Sequence, residues 1–95
     1  MEKHEVNIIV GRINSYQNAI YCVDDNIARI DKKKEGATPE REEELNRLCA
    51  EWERRAEEYE AAKHELINVL ILFEIPIATR FRNDGIWKKE WYICK

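Results

Sequence analysis

The sequence predicts a mainly α-helical domain of the α+β class: a long antiparallel helical hairpin closed at one end by a C-terminal β-hairpin. Apolar residues recur every three or four positions over two long segments. A short connection containing a glycine separates these segments, and a strand-prone segment with a turn motif follows them. The predicted elements are a helix over residues 4–34, a helix over residues 39–74 and a β-hairpin over residues 77–94, all in one domain spanning residues 1–95.

The first predicted helix has an apolar stripe typical of a coiled-coil seam. Its members alternate three and four residues apart: Val6, Ile9, Ile13, Tyr16, Ile20, Val23, Ile27 and Ile30. Three lysines, Lys32 to Lys34, complement the negative end of the helix dipole, and Gly36 can take the left-handed conformation that ends a helix. Residues 5–10 also fit a short β-strand, because β-branched side chains are frequent there. The sequence leaves that alternative open.

The second predicted helix begins at Thr38, Pro39 and Glu40. Threonine can accept from free backbone N–H groups, proline suits the first helical position, and glutamate complements the dipole. One arginine interrupts its apolar seam, which comprises Leu45, Leu48, Trp52, Arg55, Tyr59, Ala62, Leu66, Val69 and Phe73. Pro76 requires the helix to end before it. The short connection predicts antiparallel helices whose facing residue numbers sum to about 73, in a rod about 45 to 50 Å long.

The C-terminal segment predicts a β-hairpin around Asn83, Asp84 and Gly85, which form a strong turn motif. A three-residue loop at these positions would pair Phe81 with Trp87 and Ile77 with Trp91. That register predicts one face packed on the helices, formed by Ile77, Phe81, Trp87, Trp91 and Ile93. The opposite face would carry Arg80, Arg82, Lys88, Glu90 and Tyr92.

Charge is distributed unevenly although the chain carries a net charge of only -3. Residues 40–60 contain nine acidic and four basic side chains, which leaves -5, and residues 75–95 contain two acidic and five basic side chains, which leaves +3. The simpler interpretation of the acidic stretch is a solvated helix face. The other is a surface that imitates nucleic acid or docks a basic partner.

The basic face of the hairpin is a candidate surface for an anionic ligand. Arg80, Arg82 and Lys88 could bind phosphates while Tyr92 stacks on a base, as single-strand binders do. A nucleotide or single-stranded nucleic-acid binder is therefore the alternative function. The simpler explanation is that the cations keep the hairpin soluble and protect its edges.

The sequence predicts no enzyme and no metal or cofactor site. In the antiparallel register neither His4 nor His64 lies beside a predicted nucleophile on the rod, and Glu60 with His64 would supply only two metal ligands. Three cysteines without a C-x-x-C spacing, Cys22, Cys49 and Cys94, indicate reduced thiols and a cytoplasmic protein. The N-terminus does not resemble an export signal, and the densest apolar stretch is shorter than a membrane span.

The helical surface is the predicted working part of a protein-protein interaction protein, an adaptor or an inhibitor. So compact a chain would suit a phage or mobile-element accessory protein. Large side chains in a two-helix seam further predict a homodimer in which two hairpins form a four-helix bundle. The candidate oligomer or partner surface comprises Tyr16, Tyr21, Trp52, Ala56 and Tyr59. Competing interpretations are a monomer whose β-hairpin folds far enough along the rod to cover the seam, or a protein that stays partly open until it meets a different partner.

Overall fold

The computed structural model describes residues 1–83 and 87–94. Two long helices, α1 (Lys3–Lys34) and α2 (Pro39–Leu72), precede two strands, β1 (Ile77–Asn83) and β2 (Trp87–Ile93). The helices pack side by side, the strands form a two-stranded antiparallel sheet, and the molecule measures 55 × 27 × 15 Å. The predicted helical hairpin with a β-hairpin cap is confirmed. Residues 5–10 belong to α1, so the alternative of a third strand there is wrong.

The turn between the helices follows from Gly36. Glu35 has φ -62° and ψ 120°, Gly36 has φ 73°, and the N–H of Ala37 donates to the carbonyl of Lys34 at 3.1 Å. These values define a type II turn, which needs a positive φ at its third residue. The hydroxyl oxygen of Thr38 then accepts from the N–H of Arg41 at 3.3 Å, which confirms the predicted N-cap of α2.

The end of α2 depends on Glu74, which has a positive φ of 57°. The N–H of Ile75 donates to the carbonyl of Leu70 at 3.0 Å, and the N–H of Glu74 donates to the carbonyl of Ile71 at 2.9 Å. This pair of hydrogen bonds is the Schellman motif, in which the residue with positive φ is usually glycine. The helix therefore stops at Leu72, two residues before the approximate end at residue 74 that the sequence predicts and before Pro76, as expected.

Replacing Glu74 with glycine is expected to raise the free energy of unfolding by about 1 kcal/mol, because glycine adopts a positive φ without steric cost. Urea-induced unfolding followed by circular dichroism measures the change. The matched control is Glu65→Gly, an exposed position inside α2 where glycine should lower stability by about 1 kcal/mol. Destabilisation of similar size by both variants would contradict the assigned backbone conformation.

The interior consists of two apolar clusters at opposite ends of the rod. The cluster near the sheet contains Val6, Val10, Ile13, Ile67 and Leu70, and Ile77, Trp91 and Ile93 pack against it. The cluster near the interhelical turn contains Ile30, Leu45 and Cys49, with Ile27, Ala37 and Trp52 packed against it. The sheet thus covers one end of the helical hairpin, as predicted.

The buried seam of α2 lies one residue later along much of the helix than the predicted seam. It passes through Leu45, Cys49, Lys63, Ile67 and Leu70. The assignment of Leu48 and Phe73 to the seam is wrong, because these side chains are 40% and 57% exposed. Near the interhelical turn, Trp52 packs against the cluster of Ile30, Leu45 and Cys49.

The register of the sheet differs from the prediction by two residues on one strand. Ile77 pairs with Ile93, and Phe81 pairs with Lys89, so the predicted pairs Ile77 with Trp91 and Phe81 with Trp87 are wrong. A shift of two residues keeps every side chain on its predicted face. Phe81 nevertheless lies 57% exposed, beyond the part of the sheet that covers the core. The predicted loop continues into residues 84–86, which lie outside the described residues, as does the side chain of Trp87.

Candidate interaction surfaces

Two side chains of α1 attach the sheet to the helices. The amide of Asn14 donates to the carbonyl of Trp91 at 3.0 Å and accepts from the N–H of Trp91 at 2.7 Å. The hydroxyl of Tyr21 accepts from the N–H of Lys89 at 2.9 Å. Asn14 therefore binds both backbone groups of Trp91 as a neighbouring strand would, and Tyr21 binds the N–H of Lys89, so side chains of α1 occupy these positions on the outer edge of β2.

The predicted anion-binding residues share one face of the sheet, and their cations already have partners. Arg80 lies 3.4 Å from Glu90 and stacks 4.9 Å from the centre of the Tyr92 ring. Lys88 stacks 5.7 Å from the centre of the Tyr21 ring. Arg82 is exposed and pairs with Lys88 in the sheet. A phosphate would have to compete with these contacts for Arg80 and Lys88.

The fold does not bring all residues of the predicted partner surface together. Tyr16 and Tyr59 meet across the helix pair with ring centres 6.1 Å apart. Trp52 and Ala56 are half-buried, and the guanidinium of Arg55 covers the Trp52 ring at 4.7 Å. The structure therefore brings Tyr16 and Tyr59 together and places Tyr21 at the edge of β2, where its hydroxyl binds Lys89.

A polar cluster inside the helix pair was missed by sequence reasoning. Lys63 is only 7% exposed, and its ammonium group donates to Gln17 at 3.0 Å and lies 3.0 Å from a carboxylate oxygen of Glu60. Glu60 also lies 3.5 Å from exposed His64. The spacing of the sequence could have indicated that Lys63 is buried, because it lies four residues after Tyr59 and four before Ile67, within the seam.

A second polar group lies beside the interhelical turn. The thiol of Cys49 donates to Asp31 at 3.8 Å, and the ammonium of Lys34 lies 3.1 Å from the same carboxylate oxygen. The hydrogen bond to Asp31 raises the pKa of Lys34 above its usual value. Lys34 therefore stays charged across the physiological range, and the group fixes the last turn of α1 to α2.

A groove of about 750 Å³ lies between the start of α1 and β2. Val6, Val10, Asn14 and Trp91 contribute to its walls. The indole nitrogen of Trp91 is buried and has no hydrogen-bond partner among the described residues. Three exposed N-terminal residues near this end bring possible metal-ligand atoms within 4.8 Å of one another: Glu2, His4 and Glu5. All three side chains are exposed, so no described part of the protein encloses them in a way that would favour binding of a metal ion.

Exposed apolar side chains concentrate where α2 ends. Ile71, Leu72 and Phe73 are 60%, 80% and 57% exposed, and we call these three residues the end patch. They precede the Schellman turn, which directs the chain away towards β1 and leaves them uncovered. No helix within the described part of the chain has the length and hydropathy needed to cross a bilayer.

The whole chain was also compared with known proteins. Comparisons with protein-family models, curated proteins and solved structures found no match for this chain. The functional assignment therefore depends on the geometry and chemistry of the surfaces described above.

Proposed function

We propose that this chain is a non-enzymatic protein-protein interaction protein, an adaptor or an inhibitor, that binds its partner through the end patch of the helical hairpin. The observation that supports the proposal is the exposure of three consecutive large apolar residues, Ile71, Leu72 and Phe73. Contiguous exposed apolar surface on a small protein is typical of a site that binds another protein.

Packing of the helix pair does not require these residues. The buried face of α2 passes through Ile67 and Leu70, which already complete the cluster beneath the sheet. Consecutive helical residues point about 100° apart, so Ile71 and Leu72 turn away from that face. Each large apolar side chain left in water forgoes about 1.5 to 3 kcal/mol that its burial in a complex would provide.

The basic hairpin supports the alternative function less well. Arg80 already has a carboxylate and an aromatic partner, and Lys88 has an aromatic one. An anionic ligand would displace favourable contacts at both positions. The acidic α2 surface would also repel a long nucleic acid at low salt.

Cytoplasmic localisation and self-association belong to the same proposal. The three cysteines are free, and Cys22 is exposed, which supports a reducing compartment. The homodimer predicted from the sequence remains a prediction. Because Tyr21 is held by β2, the proposed four-helix bundle would have to form without it.

Photocrosslinking in cells of the native host tests the proposed surface. A benzophenone amino acid replaces Leu72 in one variant and Ala56 in another, which places the probe on the end patch or in the middle of the rod. We expect one defined protein adduct at Leu72. The same adduct should be suppressed by excess untagged protein and by excess Leu48→Glu protein, but not by excess protein carrying Leu72→Glu and Phe73→Glu.

The Leu48→Glu competitor is a matched control, because it also introduces a charge at an exposed apolar position on α2. An adduct at Ala56 with none at Leu72 would move the binding surface to the middle of the rod. The opposite outcome is a protein that forms no adduct at either position and binds a labelled single-stranded oligonucleotide in a salt-sensitive way. That result would replace the proposed protein-protein interaction function with nucleic-acid binding. In that case changing Arg80, Arg82 and Lys88 together to glutamate should abolish binding.

A further inference from the structure

The two edges of the sheet differ in their backbone hydrogen bonds. On β2, the N–H and carbonyl of Trp91 and the N–H of Lys89 point outward and are bound by Asn14 and Tyr21 of α1. At these positions α1 occupies the edge of β2. The helices contact the sheet mainly through this strand, which leaves β1 on the far side.

The outer edge of β1 is open at Thr79. Thr79 pairs with Trp91, whose N–H and carbonyl both point away from β1. Residues of such a pair direct their peptide groups to opposite edges of an antiparallel sheet, so Thr79 points its own groups outward. Ile77 does the same, because the pattern repeats every second residue. Within residues 1–83 and 87–94, neither residue has a partner for these outward groups.

We infer that β1 pairs with β1 of a second copy, which joins two sheets into one antiparallel sheet of order β2-β1-β1-β2. An exposed strand edge is a ready template for another strand. This inference goes beyond the proposed function, because it uses the edge of β1 and leaves Leu72 and Phe73 available to a different partner.

The charges of β1 select one register for the pair. When the twofold axis passes through Thr79, Arg80 lies opposite Ala78 of the second copy. Sliding the strands so that the axis passes through Arg80 would place two arginines directly opposite each other, which is unfavourable. Sliding them the other way shortens the paired region. The sequence of β1 is thus compatible with its own copy in a centred register.

The same register would also cover the side chain of Phe81, which is exposed in the single chain. It places this side chain opposite Ile77 of the second copy, on the face that packs against the helices. Beside Ile77 lies a groove of about 570 Å³ whose walls include Ile67, Ile71 and Pro76. Phe81, which is 57% exposed in the single chain, would lie against this apolar groove in the pair. Self-pairing therefore offers both hydrogen bonds and apolar burial.

Light scattering during gel filtration tests the inference with the whole chain. At concentrations from about 1 to 100 μM, a range that brackets micromolar affinity, the wild type should reach twice the chain mass of 11.4 kDa. Thr79→Pro removes an outward N–H that β2 does not use, and Thr79→Lys places a charge at the edge. Both variants should retain the wild-type circular dichroism and elute as monomers. Ala61→Lys, an exposed change on α2, should remain dimeric.

A disulfide tests the register. In a background with Cys22→Ser and Cys94→Ser, Thr79→Cys should form a cross-linked dimer on mild oxidation, because paired Cα atoms about 5.5 Å apart allow the bond. Ala78→Cys should cross-link at least tenfold more slowly. A monomeric wild type at every concentration would overturn the inference. A dimer that persists in the Thr79→Lys variant, as a helix bundle or in another arrangement, would also overturn it. Equal rates of cross-linking at positions 78 and 79 would do the same.

Discussion

Replacing Trp91 with alanine is expected to lower the free energy of unfolding by about 3 kcal/mol. The indole packs against the cluster that contains Val10, Ile67 and Leu70, and it is the largest side chain that β2 is seen to contribute there. Its removal opens a cavity between the sheet and both helices. A small domain has a total stability of about 5 to 15 kcal/mol, so the sheet should detach at much lower urea concentrations.

Urea titration at one fixed protein concentration measures this effect, because self-association would make stability depend on concentration. Tyr92→Ala is the matched control: it removes an aromatic ring from the same strand but from the opposite face, where Arg80 stacks on it. We expect that change to cost about 1 kcal/mol. Arg82→Glu, on an exposed face, should cost less than about 1 kcal/mol. The assigned faces would be wrong if Trp91→Ala unfolded like the wild type and Arg82→Glu were strongly destabilised.

Replacing Lys63 with alanine is expected to cost about 2 kcal/mol. The change leaves the side-chain carbonyl of Gln17 buried without its donor and removes the ion pair with Glu60. It also removes an aliphatic stem that fills space between the helices. Glu60 retains access to water, which keeps the expected cost below that of a fully buried ion pair.

A double variant separates polar pairing from packing. Lys63→Met with Gln17→Leu fills the same space without polar atoms and should be as stable as the wild type or more stable. The exposed lysine change Lys33→Ala should cost less than about 1 kcal/mol. If Lys63→Ala had as small an effect as Lys33→Ala, the cluster would contribute no stability. Thermal unfolding at fixed concentration is a second measure of all three variants.

Local patterns were sufficient to predict the elements and their order. The type II turn at Gly36 and the cap at Thr38 each depend on a few neighbouring residues, so the sequence predicts them directly. The end of α2 was harder to predict from the sequence, because a glutamate occupies the left-handed position where glycine is usual. A rule based on residue type therefore extended the helix to residue 74.

Side-chain partners across the helix pair were harder to predict. Apolar residues on α2 fit two seams one residue apart: the predicted seam passed through Ala62 and Leu66, whereas the observed one passes through Lys63 and Ile67. A lysine is rarely buried unless it is paired. In the structure Gln17 and Glu60 lie where they can bind its ammonium group. Glu60 is a neighbour on the same helix, but only the position of α1 beside α2 supplies Gln17, so burial of Lys63 is a tertiary property.

The sequence by itself determined the helical hairpin, its turn, the strand-prone cap and the two faces of that cap, because each depends on periodicity or on contacts between near neighbours. The tertiary structure decided the strand register, the capture of β2 by Asn14 and Tyr21, the exposure of the end patch and the open edge of β1. Each of these features depends on which distant groups meet. Hydrogen bonds between residues 14 and 91, separated by 77 positions, fix how the sheet lies on the helices. That placement covers one apolar cluster and part of the edge of β2, and within the described residues it leaves the outer edge at Ile77 and Thr79 and the end patch uncovered.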